Sequence, residues 1–271
     1  MSPIGVFDSG YGGLTVLKEI VRTLPEYDYI YLGDSARSPY GTRSYDVVYQ
    51  FTLECVKKLF AQGCNLVILA CNTASAKALR TIQQKDLPSI DPMRRVLGVI
   101  RPTAEVVGNY SNTNKIGVLG TPGTIKSNSY KLEIKKIFPE IDIFQQQCPM
   151  WVPLIENNEY DSPGADYFVK EYIDQLLKQN KDIDTVILGC THYPLLQKKI
   201  AQFMPHNINV ISQDSIVAKS LKDYLQRHPE MDIKCSKNGQ RLFYTTDTPE
   251  TFDQRASVFF GQAIKSQHLM L

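Results

Sequence analysis

A chain of 271 residues, 43% of them hydrophobic, is long enough for one large domain or two medium ones, each with its own core. Lys plus Arg at 30 against Asp plus Glu at 28 leaves a formal charge of +2, and no basic run interleaved with aromatics marks a nucleic-acid or anionic-membrane surface. The opening MSPIGVFDSG is apolar only as far as Asp8, too short for a secretory core or a membrane span, so a cytoplasmic protein is expected.

In chain order, residues 4–7 and 29–32 read as short buried strands rich in Val, Ile, Leu and Tyr. Val48, Phe51, Cys55, Leu59 and Phe60 then fall at helical steps, and residues 66–70 and 96–100 form the next strands. Beyond them come a strand at 116–119, a helix at 127–138, a strand at 141–144 and a helix whose apolar stripe runs through Ala165, Phe168, Val169, Tyr172, Ile173, Leu176 and Leu177. Strands at 186–188 and 210–211 close the series. Continuous apolar strands alternating with helices predict an α/β fold with parallel, doubly wound sheets.

The two halves repeat one another. IGVFDSG (4–10) answers to IGVLGTPG (116–123), VILACNT (67–73) to VILGCTH (186–192), and more weakly VLGVIRPTA (96–104) to NVISQDSIVA (209–218). Offsets near 112–119 indicate an internal duplication into two pseudo-symmetric lobes rather than a short solenoid repeat. The chain is expected to leave the first lobe near residue 97 and return near 210, giving lobes of 1–97 plus 210–271 and of 98–209. Ligands of parallel sheets bind beyond the carboxyl ends of the strands, so the cleft between the lobes is the expected site.

The six cysteines (55, 64, 71, 148, 190, 235) lack CxxC or Cys/His ligand spacing and read as reduced thiols, with no metal site expected. Two of them stand apart. Cys71 follows one strand end and Cys190 the equivalent end in the second half. Inverting a stereocentre by proton transfer needs a base on one face and an acid on the other, and a thiolate and thiol supply both, exchanging roles with direction. Asn72 and Thr73 follow Cys71 and suit hydrogen bonding and capping of a helix beginning near Ala74; His192 stands near Cys190 as a tuner. Cys55 on a helix stripe, Cys64 before a strand, Cys235 in a polar loop and Cys148, alone of the four near another motif, all read as structural.

Asp8-Ser9-Gly10-Tyr11-Gly12-Gly13 follows the first strand and opens a helix, and its carboxylate suits a substrate ammonium or a neighbouring thiol rather than a phosphate. The segment from Gly33-Asp34-Ser35 through Pro39-Tyr40-Gly41 is a turn at the same edge. Thr121 and Thr124 mirror the first loop without its acid. Glu156 reads as a solvated surface charge unless the cleft claims it.

Together VFDSGYGG, GDSARSPYG, ACNTAS, GTPGT, CPMWVPLIE and GCTHYPLL resemble the glutamate racemases of the aspartate/glutamate racemase superfamily, which supply D-glutamate for bacterial peptidoglycan. The resemblance implies a cofactor-independent isomerase in which Cys71 acts on D-glutamate and Cys190 on L-glutamate, assisted by Asp8, His192 and Glu156. It implies substrate contacts from Asp8, Ser9, Tyr40, Gly41, Asn72, Thr73, Thr121, Thr191 and His192, with a small-molecule substrate and a homodimer as the partners. Alternatives are a racemase of aspartate or a related amino acid, or an amino-acid-binding protein without turnover. An aspartyl-phosphate phosphotransferase would need a second acid where Gly10 stands.

Overall fold

In the computed structural model, which describes residues 1–271, the apolar runs become ten parallel strands in two sheets. Strands β1 (Ile4–Asp8), β2 (Tyr29–Gly33), β3 (Leu66–Leu69) and β4 (Arg95–Gly98) belong to the first sheet. Strands β5 (Lys115–Gly120), β6 (Asp142–Gln147), β7 (Thr185–Gly189) and β8 (Asn209–Ile211) make the second, and β9 (Arg241–Thr245) and β10 (Ser266–His268) return to the first. Every residue of β1, β2, β3 and β7 is buried, as expected of parallel strands covered on both faces.

The sheet orders are β10-β9-β2-β1-β3-β4 and β6-β5-β7-β8. Within the first, β2-β1-β3-β4 matches the whole of the second position by position, so the sequence repeat is a repeat of strand order. The α/β class and the two lobes expected from the sequence are thus present. The strand register sets the chemistry. Phe7 pairs with Leu69 and Gly120 with Gly189, which puts Ser9 level with Cys71 and Thr121 level with Cys190, two and one residues further on.

Helix Tyr45–Ala61 covers one face of the first sheet through Val48, Val56 and Leu59, while helices Gly13–Thr23 and Asp214–Arg227 pack together over the other. That second core is shared between lobes: it runs from Ile4, Leu17 and Ile20 to Trp151, Val186 and Leu188 without a break.

The structure departs from the sequence reading in several places. The strand read at 96–100 stops at Gly98, and Ile100 begins a helix, Ile100–Val106. β6 runs on through Gln145, Gln146 and Gln147, polar residues tolerated because it is an edge strand. The helix placed at 127–138 is present as Ser129–Ile137, and a separate short helix, Pro122–Lys126, precedes it, the two divided at Asn128, whose φ is +55°. β9 and β10 have no counterpart in the sequence reading. Cys235 is no loop residue in water but is buried, bridging to Ser2. No helix is long and apolar enough to cross a membrane.

Candidate active site

Each thiol stands where a strand gives way to a helix. Cys71 caps the helix Asn72–Lys77, its Sγ accepting from the Ala74 amide at 3.4 Å, so the helix starts two residues earlier than its sequence suggests. The Ser9 hydroxyl lies 3.4 Å from the same sulfur. Cys190 follows β7, and its Sγ is 3.9 Å from Nδ1 of His192. The other ring nitrogen, Nε2, is 3.1 Å from Glu156 Oε1, which also receives the Ser38 hydroxyl at 3.4 Å.

Glu156 is therefore not a surface charge. Its side chain is only 14% exposed, since helix Trp151–Glu156 turns its last residue into the cleft, where His192 and Ser38 claim it. A single cavity between the lobes is lined by all the residues expected from the sequence: Asp8, Ser9, Tyr40, Gly41, Cys71, Asn72, Thr73, Thr121, Glu156, Cys190, Thr191 and His192. Cys148, read as structural, is buried and lines it too. Ser38, Pro39 and Thr42 line it as well; the first two lie within GDSARSPYG but are not among the contacts expected from the sequence, and Thr42 has no signal beyond adjacency to Gly41.

The polar groups are held rather than free. Asp8 is buried and its Oδ1 accepts the Gly10 amide at 2.9 Å, while Tyr31 donates to the Gly10 carbonyl at 3.0 Å. The Tyr40 hydroxyl is committed to Asp34, which also binds Arg37 at 2.7 Å and the Thr246 hydroxyl at 2.8 Å. Asp34 thus shapes the loop that brings Tyr40 and Gly41 to the cleft. Thr73 meets Thr121 across the lobes at 2.9 Å, and the Gly123 amide donates to the Gly41 carbonyl at 2.7 Å.

The two sides of the cleft differ electrically. Burial pushes the Cys71 thiol up to about 12, reinforced by the Asp8 carboxylate and opposed by the Ser9 and Ala74 hydrogen bonds. Burial likewise raises Asp8, against the pull of His192 and the Gly10 and Gly13 amides. On the other side burial works against charge on both His192 and Glu156 and is outweighed: the Cys190 sulfur and then the Glu156 carboxylate hold His192 well above the usual histidine value, and His192 holds Glu156 below that of a free glutamate. Both shifts favour an imidazolium facing a carboxylate. No Asp or Glu corresponds to Asp8 in the second lobe, where the register puts Gly120.

The chain's residues 4–221 match the Asp/Glu/hydantoin racemase family. It is 40% identical over 270 residues to a glutamate racemase of Sulfurihydrogenibium sp. (strain YO3AOP1), covering 99% of this chain and 97% of the relative. The chain belongs to the Asp/Glu/hydantoin racemase family, among the glutamate racemases. It is an isomerase. Among solved structures, a glutamate racemase isoform from Bacillus anthracis superposes with a TM-score of 0.90 at 35% identity, covering 100% of this chain and 98% of that one. The glutamate racemase of Francisella tularensis subsp. tularensis SCHU S4, solved in complex with D-glutamate, gives 0.87 at 34% identity, covering 99% and 97%.

Proposed function

We propose that this chain interconverts L- and D-glutamate without a coenzyme, Cys71 and Cys190 exchanging the α-proton on opposite faces of the substrate, and so supplies D-glutamate for peptidoglycan. The observation that carries the mechanism is the pair of cysteines at equivalent strand ends of two duplicated lobes, lining one cavity with unlike partners. The glutamate racemases that resemble the chain over nearly its full length support the substrate, as does the D-glutamate bound in one of them.

The asymmetry of the cleft suggests a direction for each thiol. Ionising a thiol of pKa about 12 at pH 7 costs about 7 kcal/mol, too much for a resting thiolate at Cys71. Cys71 is suited to wait as the acid, and in the reverse direction to lose its proton only with the substrate ammonium beside it and Asp8 near enough to assist. The His192 imidazolium, 3.9 Å from the Cys190 sulfur, is a counter-ion for negative charge there and a proton donor to it. L-Glutamate then gives its α-proton to Cys190 and receives one from Cys71; D-glutamate runs the same path backwards. Ser9, Tyr40, Gly41, Asn72, Thr73, Thr121 and Thr191 are the proposed substrate contacts.

The lobes proposed with this reading are 1–97 plus 210–271 and 98–209, and the assembly is a homodimer. A cytoplasmic site of action suits six unpaired thiols.

The test is incubation with L-glutamate and, separately, L-aspartate in heavy water, without coenzyme, followed by chiral analysis and deuterium counting. Glutamate is expected to racemise with one deuterium at Cα, and Cys71→Ala and Cys190→Ala each to lose at least about 10³-fold in kcat/KM while still folded. Full activity in either variant removes the two-thiol mechanism, and preference for aspartate removes the substrate.

A further inference from the structure

The Asn72 carboxamide stands at the cleft with its two ends unequally placed. Its Oδ1 accepts the Tyr130 hydroxyl at 2.7 Å, whereas its Nδ2 is buried without a partner in the protein. Behind it, Tyr130 is fully buried on helix Ser129–Ile137 and its oxygen receives a hydrogen bond from Gln213 Nε2. The same Nε2 donates to the main-chain carbonyl of Leu188, on β7 just before Cys190, at 3.1 Å.

This chain of contacts has a direction, and the direction follows from donor and acceptor chemistry. A peptide carbonyl only accepts, so the end of Gln213 that faces Leu188 is its NH2 group. That group also meets the Tyr130 oxygen, which accordingly accepts there and spends its own proton on Asn72. Burial keeps that proton on the phenol. The Asn72 end that receives it is then its oxygen, and the end left to the cleft is its NH2. The opposite orientation of Gln213 would set its oxygen against the Leu188 carbonyl.

We infer that Tyr130 and Gln213 are positioning residues that fix the polarity of Asn72, so that an amide donor rather than an acceptor meets a carboxylate of the substrate. The inference rests on the glutamate reading for the ligand's charge. A donor aimed at a carboxylate makes a charge-assisted hydrogen bond, while the reversed amide would turn an oxygen toward the anion. Tyr130 belongs to the second sheet's helices and Asn72 to the first lobe's cleft wall, so the relay also ties the orientation of one wall to the seating of the other.

The experiment reverses the relay without changing its shape. The carboxylate in Gln213→Glu only accepts, so it takes the Tyr130 proton, and Asn72 must turn its NH2 back toward Tyr130. Gln213→Met keeps the bulk but lets Tyr130 go on donating to Asn72. With folding checked by circular dichroism, KM for both enantiomers is expected to rise at least about tenfold in Gln213→Glu and about twofold in Gln213→Met, kcat changing less than KM in each. Equal KM values in the two variants, or an unchanged KM in Gln213→Glu, overturn the inference. Should Gln213→Glu not fold, Tyr130→Phe decides: a raised KM with kcat kept supports the relay and an unchanged KM overturns it. Calorimetric titration with D-glutamate makes the same comparison without turnover, so failure of the racemase reading, seen in the parent protein, is distinguishable from failure of this one.

Discussion

Glu156 shows how much a single side chain depends on where the fold sends it. In the sequence it ends VPLIE, a pattern that fits a surface helix, and the partner that gives it meaning, His192, lies 36 residues on. Nothing local announces that pairing. Once paired, the two groups make stability depend on pH in opposite senses. The lowered pKa of Glu156 contributes stability fully above the ordinary value of 4.5 and loses it as pH falls through the depressed value. The raised pKa of His192 contributes fully below the ordinary 6.5 and loses it as pH rises through the elevated value. Both contributions are complete between pH 4.5 and 6.5. The gap in melting temperature between the parent and Glu156→Gln is therefore expected to be widest in that window and to narrow on either side; a gap that is flat with pH would show that the ion pair is not its source.

At the scale of elements, the strand-to-helix turns do the positioning, and one close approach makes it visible. A Cβ on Gly12 would come within 2.3 Å of His192 Nδ1 and 2.5 Å of Thr191 Oγ1, so the start of helix Gly13–Thr23 can lie against the Cys190 side only because no side chain intervenes. Gly12→Ala is expected to destabilise the fold by about 1–3 kcal/mol in urea unfolding and to displace His192, with activity falling further than stability does. A variant of parent stability and activity would mean that the helix yields freely. Elements of this kind were legible in sequence where both faces of a strand are covered, because burial on two sides demands continuous apolar runs: β1, β2, β3, β5 and β7 announce themselves that way. β9 alternates burial and exposure, with Leu242 in solvent, and β10 is Ser-Gln-His at a sheet edge, so neither carries that signature. The paired thiols were legible for a different reason, the repeat of VILACNT in VILGCTH. Tyr130 and Gln213 were not, since their meaning lies in hydrogen bonds across 58 and 83 residues of chain.

For the whole molecule the shared core has the larger consequence. One unbroken apolar cluster joins Ile4, Leu14 and Leu17 of the first lobe to Trp151, Val169 and Leu188 of the second, so exposing one lobe exposes part of the other. Unfolding is expected to be a single cooperative transition. Trp151, the chain's only tryptophan, is fully buried beside Tyr193 and reports the second lobe alone, whereas far-ultraviolet circular dichroism reports both. The two denaturation curves should coincide; a fluorescence midpoint displaced from the dichroism midpoint would show that the lobes unfold separately. The order of strands also bears on how the chain is made. β5 to β8 occupy one contiguous stretch and can pair as they leave the ribosome, but β2 finds its neighbour β9 only when Tyr29 meets Arg241, 212 residues later (241 − 29). During synthesis the sheet bearing Cys190 has all its strands while the sheet bearing Cys71 still presents an open edge to whatever else is nearby, which makes the first-begun lobe the last to be safe from mispairing.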